Sequence, residues 1–122
     1  MIYGIGIDII ENERIKAAHL RWGQNFLHRI YTDDELSYCF TKANPVDSLS
    51  GRFAAKEAFI KAASTSNAAY KDIEVTMDGL GKPSLRLHNR AKEFIAVNTI
   101  NGSHLSISHQ KRYSVAMVVL EK

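Results

Sequence analysis

The 122-residue chain predicts an α+β fold: one small domain in which an antiparallel-rich sheet packs against helices. Three observations lead there. Strand-like and helix-like segments mix without the regular alternation that builds parallel sheets. Asp78-Gly79-Leu80-Gly81-Lys82-Pro83 joins two short strand-like segments as a hairpin. Near the end, two further strand-like segments are separated only by the tight connection Gln110-Lys111-Arg112.

Ile2 to Ile10 reads as a buried strand, rich in Ile, with Gly4 and Gly6 permitting close backbone approach. Glu11-Asn12-Glu13 starts a helix, because acids favour its positive end, and Gly23 stops it after Trp22. Gln24 to Tyr31 forms a second short helix with Phe26, Leu27 and Ile30 inward. Thr32-Asp33-Asp34-Glu35 is a capping box, and the helix after it carries Leu36, Cys39 and Phe40 until Asn44-Pro45 ends it. A long helix runs from about Asp47 to Ser64, followed by a small-residue loop to Tyr70. Ile73–Met77 and Ser84–Leu87 are the hairpin strands. Asn89 caps a helix to about Ile100, which Asn101-Gly102 ends. Ser103–His109 alternates, and Tyr113–Leu120 is apolar enough to be central.

Hydrophobic residues at 45% and charged residues at 24% fit one ordinary core. No apolar run approaches the roughly 20 residues of a membrane helix, and no signal-peptide pattern opens the chain. Cys39, the only cysteine, excludes an internal disulfide and fits a reducing compartment, so a cytoplasmic location is expected. The net charge of +3 suits an acidic protein partner, a phosphorylated ligand or nucleic acid. The basic residues are dispersed and Trp22 is the one tryptophan, which argues against nucleic acid.

Two carboxylates sit where burial is expected. Asp8 lies within Ile2–Ile10 and Glu57 within Gly51–Ala63. A carboxylate among apolar residues must be paired, hydrogen-bonded or bound to a cation. At about 100° per residue, Glu57 and Lys61 fall within about 40° of each other, flanked by Phe53 and Ile60 on one side and Ala54 and Ala58 on the other. Arg52 and Lys56 occupy a separate sector and are expected to face water or a partner. The bland alternatives are an ordinary Glu–Lys pair one helical turn apart and an Asp8 that accepts backbone N–H bonds. Two carboxylates plus a lysine also form a kit for a hard metal ion and phosphate.

Gly6-Ile7-Asp8-Ile9-Ile10-Glu11 with Arg14, and Gly51-Arg52-Phe53-Ala54-Ala55-Lys56-Glu57-Ala58-Phe59-Ile60-Lys61-Ala62, resemble the two signatures of the holo-[acyl-carrier-protein] synthases. Gly81-Lys82-Pro83 and Ser106-Ile107-Ser108-His109 resemble that family's turn and strand motifs, so the likeness spans essentially the whole chain. The resemblance implies transfer of the 4′-phosphopantetheine of coenzyme A to a serine of apo acyl carrier protein, with release of adenosine 3′,5′-bisphosphate. It implies that Asp8 and Glu57 hold Mg²⁺, that Glu57 takes the serine proton directly or through water, and that Lys61 stabilises the leaving bisphosphate. It makes Arg52 and Lys56 phosphate contacts and the chain a homotrimer with sites between subunits. His109 is either a coenzyme A contact or a strand-edge histidine satisfied by backbone. Arg14 and Arg21, seven residues apart on one helical face, are either docking residues for the acidic carrier protein or solvated arginines. Two departures from the family pattern stand out. The loop Ala63–Ala68 lacks glycine, and Gln110 stands where relatives often have Asp.

Overall fold

The computed structural model describes all of residues 1–122. β1 (Ile2–Glu11) is one edge of a three-stranded antiparallel sheet, β4 (Gly102–His109) the other, and β5 (Tyr113–Glu121) lies between them, the central place expected of that strand. α4 (Pro45–Ala63) crosses one face of this sheet. Its Ala54, Ala55, Ala58, Phe59, Ala62 and Ala63 pack with Ala116, Val118 and Leu120 of β5. The approach of β1 is closer still. A Cβ at Gly6 would fall 1.9 Å from the Ala58 carbonyl oxygen, and one at Gly4 would fall 2.0 Å from that of Ala62. No side chain fits there, so glycine on the strand and alanine on the helix together set the distance between the two elements.

The expectation of a buried β1 is corrected. Successive side chains of a strand alternate between faces, and only the face carrying Gly4 and Gly6 is covered by α4. Ile5, Ile7 and Ile9 on the other face are 57%, 58% and 65% exposed. They lie opposite Val119, Met117 and Val115 of β5, so the open side of the sheet is an apolar surface.

α1 (Asn12–Trp22), α2 (Gln24–Ile30) and α3 (Asp33–Cys39) enclose a smaller cluster of Ile15, Leu27, Ile30, Tyr31, Cys39 and Leu49. Gly23 takes φ +56° and closes α1 with a bond from its N–H to the His19 carbonyl. The capping box forms: the Glu35 N–H donates to Thr32 Oγ1, and the Thr32 N–H donates to Glu35 Oε1. Pro45 does not merely follow the end of α3. It occupies the first turn of α4, where its missing N–H costs nothing.

A 3₁₀ turn at Tyr70–Asp72 leads into the hairpin of β2 (Ile73–Met77) and β3 (Pro83–Leu87). Asp78 closes its loop by accepting from the N–H groups of Leu80 and Lys82. α5 (Asn89–Val97) starts after His88 and ends three residues short of the expected Ile100. Asn89 is not a cap. Its amide donates to Asp72 Oδ1 at 2.9 Å, tying the helix to the 3₁₀ turn.

The water-facing expectation for Lys56 is also overturned. Its ammonium has no exposed surface. It donates to Glu35 Oε1 at 2.8 Å, to the Tyr70 carbonyl at 3.0 Å and to the Ile73 carbonyl at 2.7 Å. Glu35 Oε2 accepts from the Val75 N–H at 3.0 Å. Burial pushes the Lys56 pKa down, and the Glu35 carboxylate works against that shift. This pair joins α3, α4, the 3₁₀ turn and β2 with no donor of Lys56 left for a ligand.

Gly6→Ala forces β1 off α4, and calorimetric unfolding should show a loss of about 3 kcal/mol or more, the upper range of overpacking. Lys56→Met strands a buried carboxylate and is expected to cost about 3–5 kcal/mol; adding Glu35→Leu should restore only part of that loss in denaturant melts, because the Val75 and Thr32 N–H groups lose their acceptor.

Candidate active site

Contact between β1 and α4 brings Asp8 to the helix surface one strand repeat beyond Gly6. Lys61 Nζ donates to Asp8 Oδ1 and to the Ile7 carbonyl, both at 3.0 Å. Glu57, one turn before Lys61, accepts a 2.5 Å bond from the Tyr70 hydroxyl on Oε1. Burial, then Glu57, then Asp8 push the Tyr70 phenol up to about 12, so it remains a donor across the neutral range. The second oxygen of each carboxylate accepts no hydrogen bond from the chain.

Asp8 and Glu57 line one cleft of about 390 Å³ with Arg14, Ile15, Phe26 and Phe53. The side chain of Asp8 is only 17% exposed, whereas that of Lys61 is 54% exposed. The expected crevice is present only in part: Phe53 walls it beside Glu57, but Ala54 and Ala58 are buried in the core and Lys61 does not line it. The ordinary solvated Glu–Lys pair is absent, since Lys61 bonds to Asp8 rather than to Glu57. No group of three or more His, Cys, Asp or Glu side chains gathers anywhere in the chain. The donor set fits an ion that takes one or two carboxylates and completes its shell with water and phosphate, as Mg²⁺ does.

Arg52 and His109 lie elsewhere. They line a second cleft of about 400 Å³ with Tyr38, Lys42, Gly81 and Pro83. The expectation that Arg52 faces water is corrected, since the residue is 2% exposed. Its guanidinium lies 4.4 Å from the centre of the Tyr38 ring. One nitrogen reaches the Ser48 carbonyl at 3.5 Å, and Nε has no partner. Such an orphaned donor suits an anion. Gly81 and Pro83 reach this cleft because the hairpin folds back over α4, which gives the Gly-Lys-Pro turn a spatial role. The two clefts share no lining residue.

Arg14 reaches the rim of the carboxylate cleft. Arg21 is exposed beside Trp22, 4.8 Å from its ring centre. Two participants escape a reading of the sequence. Tyr70 ends a featureless loop, and its only local signal is an aromatic residue three positions before a strand. Lys42 carries no signal at all.

Residues 4–118 match the family model of the 4′-phosphopantetheinyl transferase superfamily. The chain belongs to that superfamily. The holo-[acyl-carrier-protein] synthase of Halothermothrix orenii is 46% identical over all of this chain and 99% of its own length. A crystal structure of the Neisseria meningitidis synthase is 38% identical, covers all of both chains and has a TM-score of 0.93. The Helicobacter pylori synthase in complex with coenzyme A is 31% identical over 96% of this chain and 99% of its own, with a TM-score of 0.85. In this phosphopantetheinyl transferase, then, the superfamily signatures form the two sides of the β1–α4 contact.

Proposed function

We propose that the chain, as one domain spanning residues 1–122, is a Mg²⁺-dependent holo-[acyl-carrier-protein] synthase. The carrying observation is the cleft shared by Asp8 and Glu57, with Lys61 bonded to Asp8, in a chain whose relatives include a synthase bound to coenzyme A. The hydroxyl oxygen of the carrier serine bonds to the phosphorus that bears the pantetheine arm. The phosphoanhydride bond to the adenosine moiety breaks, and adenosine 3′,5′-bisphosphate leaves. Asp8 and Glu57 would hold Mg²⁺, which supplies charge neutralisation at the pyrophosphate. Glu57 receives the serine proton, directly or through water. Lys61, exposed enough to turn from Asp8 toward a phosphate oxygen, stabilises the leaving group.

The second cleft is assigned to the phosphates of the adenosine half. Arg52 is its buried cation and His109 its exposed rim. Lys56 is removed from that role, because its three bonds are spent inside the fold. The two half-sites lie on different sides of α4, so one substrate spanning both favours two copies meeting. The apolar face of Ile5, Ile7, Ile9, Val115, Met117 and Val119 gives such copies a surface to bury. A homotrimer with sites between subunits is the assembly proposed. Arg14 and Arg21 are assigned to docking of the acidic carrier protein, since Arg14 stands at the mouth of the carboxylate cleft. No helix is long and apolar enough to cross a membrane. A cytoplasmic setting completes the proposal and suits a single buried cysteine.

Intact-mass spectrometry of apo acyl carrier protein with coenzyme A, Mg²⁺ and this protein is expected to show a phosphopantetheine-sized gain. Glu57→Gln and EDTA should each abolish it; a gain that persists in both would remove the metal-carboxylate mechanism. Arg14→Glu should raise the apparent KM for carrier protein at least about tenfold, a loss of roughly 1.4 kcal/mol, with little change in that for coenzyme A.

A further inference from the structure

We propose that Tyr70 is a positioning residue that limits Glu57 to a single metal-facing oxygen and thereby favours a small octahedral ion over Ca²⁺. The inference rests on the reading of Asp8 and Glu57 as metal ligands. The Tyr70 hydroxyl engages Glu57 Oε1 at 2.5 Å, and Lys61 engages Asp8 Oδ1 at 3.0 Å. Each carboxylate therefore brings one oxygen without a partner in the chain. Ca²⁺ takes six to eight oxygens and uses bidentate carboxylates readily. Mg²⁺ and Mn²⁺ are satisfied by single carboxylate oxygens with water and phosphate around them.

The two constraints are not equal. Lys61 sits at an exposed position and is free to turn toward a phosphate. Tyr70 is held along its whole length. Its carbonyl accepts from the buried Lys56 ammonium at 3.0 Å. Its ring packs on Phe53, with centres 5.6 Å apart. The 3₁₀ turn it opens is pinned by Asp72, which accepts from the Ala69 N–H at 3.3 Å and from the Asn89 amide at 2.9 Å. The hydroxyl thus acts on Glu57 from a fixed platform, as an outer-shell partner acts on a metal ligand. Its effect is to occupy one lone pair of Oε1 and fix the carboxylate's orientation, which disfavours the bidentate mode a freely rotating carboxylate would offer.

Mn²⁺ serves as the probe, with saturating coenzyme A and no carrier protein, so that nothing turns over. Free Mn²⁺ is read by electron paramagnetic resonance while Ca²⁺ is titrated in as competitor, and coenzyme A alone provides the blank. Wild type, Tyr70→Phe and Glu57→Gln are compared. Tyr70→Phe is expected to weaken Mn²⁺ binding about tenfold, within the range for loss of an outer-shell partner, and to let Ca²⁺ displace Mn²⁺ at a correspondingly lower concentration. In transfer assays the same variant should need more Mg²⁺ for half-activation yet regain most of the wild-type kcat at saturation. A misfolded fraction cannot do that, because it lowers kcat at every Mg²⁺ concentration. An unchanged Ca²⁺-to-Mn²⁺ preference in Tyr70→Phe, with Mn²⁺ lost in Glu57→Gln, overturns the role of Tyr70 and leaves Glu57 a ligand. Mn²⁺ binding that survives Glu57→Gln overturns the ligand reading, and the role of Tyr70 falls with it.

Discussion

The closeness of β1 to α4 is the constraint on which the rest of the structure depends. Strand backbone rests directly on helix backbone because Gly4 and Gly6 have no side chains and Ala58 and Ala62 have the smallest ones. One strand repeat further on, the same face carries Asp8, delivered to Lys61 within hydrogen-bond distance. Widening the gap by a methyl group would break that contact and open the cleft. Gly6 of the first signature and Ala58 and Ala62 of the second are therefore two sides of one interface, which Gly4 extends.

A second constraint works from the opposite side of the helix. The buried Lys56–Glu35 pair holds α3 and the 3₁₀ turn against α4. A buried ion pair is poor evidence of stability for its own sake. Its value here is geometric, since it fixes the main chain of Tyr70 and through it the carboxylate of Glu57. Adjacent residues of one helix thus divide the labour: Lys56 faces inward to set the frame, and Glu57 faces the cleft.

Local signals were legible in the sequence. Gly23 as a helix stop, the Thr32–Glu35 capping box and the Asp78–Lys82 turn each depend on residues within one turn of chain, and each forms. That Asp8 and Glu57 share one cleft was legible from two carboxylates set in apolar stretches. What escaped depended on distant partners. Helical periodicity groups Arg52 with Lys56 but cannot reveal that Glu35, 21 residues earlier, closes over one of them. Nor can a run of Ile show which face of a strand the fold leaves open, so β1 looked buried on both. Asn89 looked like a helix cap because its competitor for that amide, Asp72, lies 17 residues away.

The open face of β1 has a consequence for encounters between chains. β1 is a ten-residue edge strand, with unpaired backbone groups along one side and a row of isoleucines across its outer face. Edge strands of this kind are templates for indiscriminate pairing, and proteins usually blunt them with charge, proline or a covering element. Here Ile5, Ile7 and Ile9 carry no such guard. A copy whose β1 face stays open therefore offers both an apolar surface and a free strand edge to any other chain it meets.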